Sequence, residues 1–295
     1  MSKMHRPKLI LLVGPPGCGK STYAKKYIDK HGDTIHLSSD EIRAEIYGDA
    51  SIQTEPWRVF AIMQSRAVAA LKDGKNVVYD ATNMTRNDRG GIIAMCPKFV
   101  HIECYIVWAP IEACIERDAA RQRTVGKDVI DRMLKRFQAP YYDEGIDEIN
   151  VVMPENFNSY TYGDKVIKLM QIPHDNPHHS LGVSEHCMEA NKYIIDKTGS
   201  YYLDIGYAAI YHDIGKPYVK QFVDSKGNQC EHAHYYQHQC VGSYISYGLP
   251  YTNPYIAWLI GTHMDPFLNT KYYNNLPAYL KTQVDLLHEA DLAAH

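Results

Sequence analysis

The segment Gly14-Pro15-Pro16-Gly17-Cys18-Gly19-Lys20-Ser21 constrains this chain more than any other feature of its sequence. It fits G-x-x-x-x-G-K-[ST], with an apolar strand signal over 8–13 before it and a helical stretch over 21–30 after it. Glycines there let backbone N–H groups curl around phosphate oxygens, and the helix N-terminus adds a favourable dipole. Lys20 is placed to pair with β- and γ-phosphates, and the Ser21 hydroxyl to hold Mg²⁺. Gly14, Gly17, Cys18, Gly19, Lys20, Ser21 and Thr22 are therefore the candidates for binding ATP or another nucleoside triphosphate with Mg²⁺.

The residues around this loop alternate strand and helix. Strands are expected over 8–13, 34–37, 76–79, 101–107 and 149–152, with helices over 21–30, from near Asp40, and over 56–73, 111–123 and 128–137. Such alternation implies a parallel sheet with helices on both faces. Residues 156–172 read as a linker with a short strand over 166–170. Beyond Pro173 the pattern becomes helical, over 183–197, 203–213, 234–247, 254–263 and 277–294, so that half is expected to be all-α. The expected division is a nucleotide-binding domain at 1–155 and a helical domain at 173–295.

Composition narrows the surroundings. The formal net charge of −3 argues against non-specific nucleic-acid binding by charge alone, while leaving room for a local basic groove. Seven cysteines form no CxxC pair, and the apolar run after the polar start is too short for a membrane span or signal core. Reduced thiols, a cytoplasmic location and no membrane role are the expectation. Histidine is uneven: His5, His31, His36 and His101 are the only four of 15 before residue 174.

Three clusters follow the phosphate loop. Asp40 stands where the second strand enters a helix, suited to accept a hydroxyl proton during phosphoryl transfer, and Arg43 lies one turn on, able to hold an acceptor phosphate. Asp80 and Asn83 end the third strand, facing the ligand crevice. Arg117 and Arg121, four apart on an expected helix, can spread over γ-phosphate oxygens. In this order the clusters resemble the kinase of phage-type polynucleotide 5′-kinases over about residues 8–152. The resemblance implies Asp40 as general base, Arg43 as acceptor-phosphate arginine, and Arg117 with Arg121 as lid arginines. Arg123 could replace either lid partner, and the stretch Pro140, Glu144, Gly145 also fits.

In the second half, His212-Asp213-Ile214-Gly215-Lys216-Pro217 is the core signal. His212 and Asp291 continue apolar helix faces, and ionisable groups there cost free energy unless paired or metal-bound. With His186 on the first helix of this half, His186, His212, Asp213 and Asp291 offer two imidazoles and two carboxylates. That set suits Mn, Ni, Co, Fe or Mg, an ion able to activate water. The order H…HD…D resembles the HD phosphohydrolase superfamily over about residues 173–295. The resemblance implies those four residues as metal ligands and Asp213 as catalytic. It implies Lys216, His238 and His263 as contacts for phosphate or a second metal. His178 and His179 compete for the first ligand position.

Taken together, the two halves are similar to bifunctional HD-domain polynucleotide kinases of bacteria and phages. The resemblance implies end healing: a 5′-hydroxyl on RNA or DNA is phosphorylated, and a 2′-, 3′- or 2′,3′-cyclic phosphate is removed. Nucleic-acid ends are then the substrate, and a ligase the enzyme that uses the healed ends. The alternatives are a small-molecule or nucleoside kinase fused to a nucleotide phosphohydrolase, and a non-catalytic nucleotide-gated module. The oligomeric state stays open.

Overall fold

Strand β1 (Lys8–Val13) forms the middle of a five-stranded parallel sheet in the computed structural model, which describes residues 6–177, 180–200 and 203–294. Its apolar residues Leu9 to Val13 are all fully buried, so both sheet faces are covered. Each contributes about 1.5–3 kcal/mol of burial free energy. After β1 come α1 (Lys20–His31), β2 (Thr34–Ser38), α2 (Ser39–Tyr47), α3 (Pro56–Lys72), β3 (Asn76–Asp80), α4 (Arg86–Met95), β4 (His101–Val107), α5 (Ile111–Ala119), α6 (Lys127–Leu134) and β5 (Glu148–Val152). The strand order is β2-β3-β1-β4-β5. Leu12 pairs with Asp80 and Ser38 with Asp80, so the carboxyl ends of β1, β2 and β3 meet at one edge of the sheet. Ligand crevices of open parallel sheets form at that edge.

Helix α4 has no counterpart in the expected elements. Thr85 caps it in a reciprocal box with Asp88. Its Arg89 is fully buried and reaches Glu144 with two hydrogen bonds of 2.7 Å, while Nη1 donates to the Asn83 carbonyl at 2.9 Å. Removing one partner of a buried pair strands the other charge. Arg89→Met is therefore expected to destabilise the sheet unit by about 3–5 kcal/mol, read from urea unfolding by tryptophan fluorescence. An unchanged midpoint would mean that the pair contributes nothing.

Contacts divide the chain into Met1–Met133 with Pro140–Glu155 and Leu134–Ala139 with Asn156–His295. The second unit contains α7 (Ser159–Leu169), α8 (Val183–Thr198), α9 (Asp204–Tyr211), α10 (Lys216–Val219), β6 (Gln221–Val223), β7 (Gln229–His234), α11 (His238–Ser246), α12 (Pro254–Thr262), α13 (Asp265–Leu268), α14 (Thr270–Asn274) and α15 (Ala278–Ala293).

Two expectations are corrected here. The strand expected at 166–170 belongs to helix α7, which starts where the Asn158 side chain accepts hydrogen bonds from the backbone of Tyr160 and Thr161. The half expected to be all-α carries an antiparallel hairpin, β6 with β7, so the helix expected from 234 starts only at His238. The hairpin docks through the Ala233 N–H on the Asp175 carbonyl at 2.8 Å.

Candidate functional sites

At the phosphate loop the backbone turns through positive φ at Gly14, Gly17 and Gly19. Gly17 also passes so close to α5 that a Cβ would sit 2.1 Å from the Cys114 carbonyl oxygen. Only glycine meets both demands. Lys20 bends back, donating to the carbonyls of Gly14 at 2.8 Å and Pro15 at 2.9 Å. These are bonds that a bound phosphate would replace. Ser21 and Thr22 are exposed at the start of α1, and Cys18 is buried. The Gly14 N–H donates to the Thr82 carbonyl, tying the loop to the end of β3.

Asp40 lies in the first turn of α2, behind the N-cap Ser38. It is 63% exposed and accepts a 2.7 Å hydrogen bond from Nη1 of the buried Arg43. A second guanidinium also reaches it: Arg123 Nη1 lies 3.6 Å from the same carboxylate oxygen. Helix α5 ends at Ala119, so Arg117 and Arg121 do not share a helix face as expected; both are exposed. The cause is Asp118. Its buried carboxylate accepts from the N–H groups of Val125 at 3.0 Å and Gly126 at 2.9 Å, folding 120–126 back as a loop. That fold brings Arg123 to Asp40.

Asp80 and Asn83 differ in what they touch. Asp80 is buried beside the loop, 3.3 Å from His36 Nε2, a bond that raises the His36 pKa above its ordinary value. Asn83 adopts φ 48° and donates to the Leu12 carbonyl at 2.7 Å, a framework contact to β1. The sequence reading overlooked His36, Arg89 and Asp118, which carry no motif.

In the second unit, His186 from α8, His212 and Asp213 after α9, and Asp291 from α15 each supply one ligand atom, all within 4.8 Å of one another. His186 Nε2 lies 3.2 Å from His212 Nε2 and 2.9 Å from Asp291 Oδ1. Asp213 turns Oδ2 towards this group, 3.4 Å from His212 Nε2, and Oδ1 towards His238 Nε2 at 3.2 Å. His238 Nε2 in turn lies 3.3 Å from His263 Nε2, so Asp213, His238 and His263 form a second set sharing the same carboxylate. His178 and His179 lie outside the described residues.

The protonation pattern follows from the backbone. Nδ1 of His186 donates to the Ala294 carbonyl, that of His212 to Ala209, that of His238 to Tyr235 and that of His263 to Ile260, at 2.6–2.9 Å. A carbonyl can only accept, so Nδ1 carries a proton and Nε2 points inwards. The Nε2 atoms then face one another and two carboxylates across a buried space, where, against the effect of burial, the Asp213 carboxylate raises the His212 pKa above its ordinary value. Asp213 Oδ2 has no hydrogen bond there, although Lys216 Nζ approaches within 2.5 Å as an ion pair. Burial pushes the His263 pKa down to about 3, keeping that imidazole neutral. Such a donor set fits a divalent cation, and the carbonyl bonds are the outer contacts that orient metal-ligating imidazoles. A close approach shapes the cage: a Cβ on Gly215 would sit 2.0 Å from the His238 carbonyl oxygen.

Residues 9–140 match the family model described as an AAA domain. The N-terminal half is a P-loop domain of the kinase-like α/β fold. Over 148 residues the chain is 26% identical to the Arabidopsis thaliana protein named transcription factor bHLH140, covering 48% of this chain and 15% of that one. Over 159 residues it is 27% identical to the putative bifunctional polynucleotide phosphatase/kinase of Acanthamoeba polyphaga mimivirus, covering 51% and 34%. Among solved structures, the Pnkp1/Rnl/Hen1 RNA repair complex aligns at 26% identity and TM-score 0.41, over 45% of this chain and 44% of that chain. The chain spans about a third or less of the length of these two curated relatives. Among the described residues no helix is long and apolar enough to cross a membrane.

Proposed function

We propose that this chain heals nucleic-acid ends with two separate chemistries. The observation that carries the reading is their coexistence on one chain: a phosphate loop in one unit with the linked group Asp40, Arg43 and Arg123, and in the other a cage of His186, His212, Asp213 and Asp291. The similarity over 159 residues to a viral protein named a putative bifunctional polynucleotide phosphatase/kinase supports the polynucleotide assignment.

In the kinase reaction the 5′-hydroxyl oxygen bonds to the γ-phosphorus, the bond to ADP breaks, and the hydroxyl proton passes to Asp40. Lys20 leaves its loop carbonyls for the phosphates, and the Ser21 hydroxyl is placed for Mg²⁺. Arg43 holds the acceptor phosphate, while Arg117, Arg121 and Arg123 line the mobile charge of transfer. Arg123 is the one already seated against Asp40.

The cage fits an HD-type phosphohydrolase. His186, His212, Asp213 and Asp291 would hold a cation such as Mn, Ni, Co, Fe or Mg, and His238 and His263 a second one through Asp213. Such a cation, when bound, lowers the pKa of a coordinated water. Hydrolysis would add water to phosphorus and break the ester P–O bond, a proton of that water passing to the leaving oxygen, to give a free hydroxyl and phosphate. Lys216 supplies a positive charge beside the reacting group.

The test is end-group analysis of an RNA bearing 5′-OH and 3′-phosphate after incubation with ATP and Mg²⁺ or Mn²⁺. The expected product carries 5′-phosphate and 3′-OH. The rival, a kinase of small hydroxyl compounds, is favoured by the net charge of −3. Phosphorylation of nucleosides with none on oligonucleotides would establish that rival.

A further inference from the structure

We propose that His174 is a positioning residue that fixes Lys216 as a phosphate-binding ammonium, and that this fixed charge makes the cage prefer phosphomonoesters over cyclic diesters. The inference rests on the phosphohydrolase reading and names the substrate class for that site.

His174 lies twelve residues before His186 and outside the H…HD…D pattern, yet it is buried against the cage. Its Nδ1 donates to the Leu181 carbonyl at 2.7 Å, which leaves Nε2 as an acceptor. Lys216 Nζ donates to that Nε2 at 3.0 Å. The same ammonium stands 2.5 Å from Asp213 Oδ2 and 5.4 Å from the centroid of the Tyr235 ring. Tyr235 is itself anchored, because its hydroxyl donates to the His174 carbonyl. A lysine stem has four rotatable bonds and would otherwise leave its charge free to sweep a wide arc. Here the imidazole, the carboxylate and the aromatic face enclose it.

This arrangement has a chemical consequence. A terminal phosphomonoester carries three terminal oxygens and close to two negative charges near neutral pH. A 2′,3′-cyclic phosphate carries two terminal oxygens and one charge. An ammonium held beside the cage gains more from the first, which has one more acceptor and more charge to pair. If Asp213 is engaged by a cation, His174 remains as the partner that keeps Nζ in place.

The experiment uses the full chain loaded with Mn²⁺ and two probes, an oligonucleotide with a 3′-phosphate and its 2′,3′-cyclic counterpart. His174→Ala is expected to raise KM for the 3′-phosphate about ten- to hundredfold, the loss of a hydrogen bond to a charged group. KM for the cyclic probe should move severalfold less, and bound Mn²⁺ per chain, measured by mass spectrometry, should be unchanged. His174→Gln, whose amide oxygen can accept from Lys216, should recover most of the loss. Equal losses on both probes, or loss of Mn²⁺ from His174→Ala, would overturn the proposal, since His174 would then serve the cage as a whole. Failure of the wild-type protein to release phosphate from either probe, despite bound Mn²⁺, would instead reject the phosphohydrolase reading.

Discussion

Asp213→Asn is expected to empty the cage of metal and lower 3′-phosphate release by about three orders of magnitude, roughly 4 kcal/mol of barrier. The size follows from the two faces of this carboxylate. Oδ2 faces His186 and His212 while Oδ1 faces His238, so one substitution strikes both candidate cation sets. An asparagine keeps the shape, but it turns one oxygen into an N–H donor and removes the charge that offsets Lys216. Metal content by mass spectrometry and phosphate release are the two readouts, with circular dichroism as the control for folding. Labelling of a 5′-OH end should stay within about twofold, since Asp40 and the phosphate loop belong to the other unit. Retention of metal and turnover would sink the assignment of Asp213.

Asp40→Asn is expected to cut ATP-dependent labelling of a 5′-OH oligonucleotide by about 10²–10⁴-fold, the range supplied by a positioned general base. KM for ATP should barely move, because the contacts of Asp40 run to Arg43 and Arg123 rather than to the loop. Phosphate release by the cage should be untouched. A drop in kcat of less than about threefold would remove Asp40 from the chemistry. Loss of ATP affinity instead would move its role to the nucleotide.

The phosphate loop and the five strands were legible because they combine special backbone needs with continuous apolar runs. The residues that gather in the cage were legible for a different reason: His212 and Asp291 interrupt faces that are otherwise apolar, as Ile205, Ala209, Val284 and Leu287 show. What escaped has physical causes. The hairpin β6–β7 is short and polar, and Ala233 is its only fully buried residue, so no alternation marks it. In α7 the end of the helix, Val166 to Leu169, is a short apolar run around Lys168, and its helical period shows only in the burial of Tyr162 and Val166, four residues apart, behind the Asn158 cap. Arg121 was expected on a helix because nothing local shows that Asp118 spends its side chain on the backbone of Val125 and Gly126. His174 is invisible in one dimension, since its partner Lys216 lies 42 residues away.

The anchors of the four imidazoles are main-chain oxygens, which no amino-acid substitution deletes. Rotating one ring out of line thus requires a segment of backbone to slide or tilt. Were the cage to hold a cation, its choice among ions would follow how tightly the helices nest, with the close approach of Gly215 to the His238 carbonyl oxygen as one point of contact. Evolution or design can retune such a centre from a distance, by resizing the small residues between helices while every ligand stays in place.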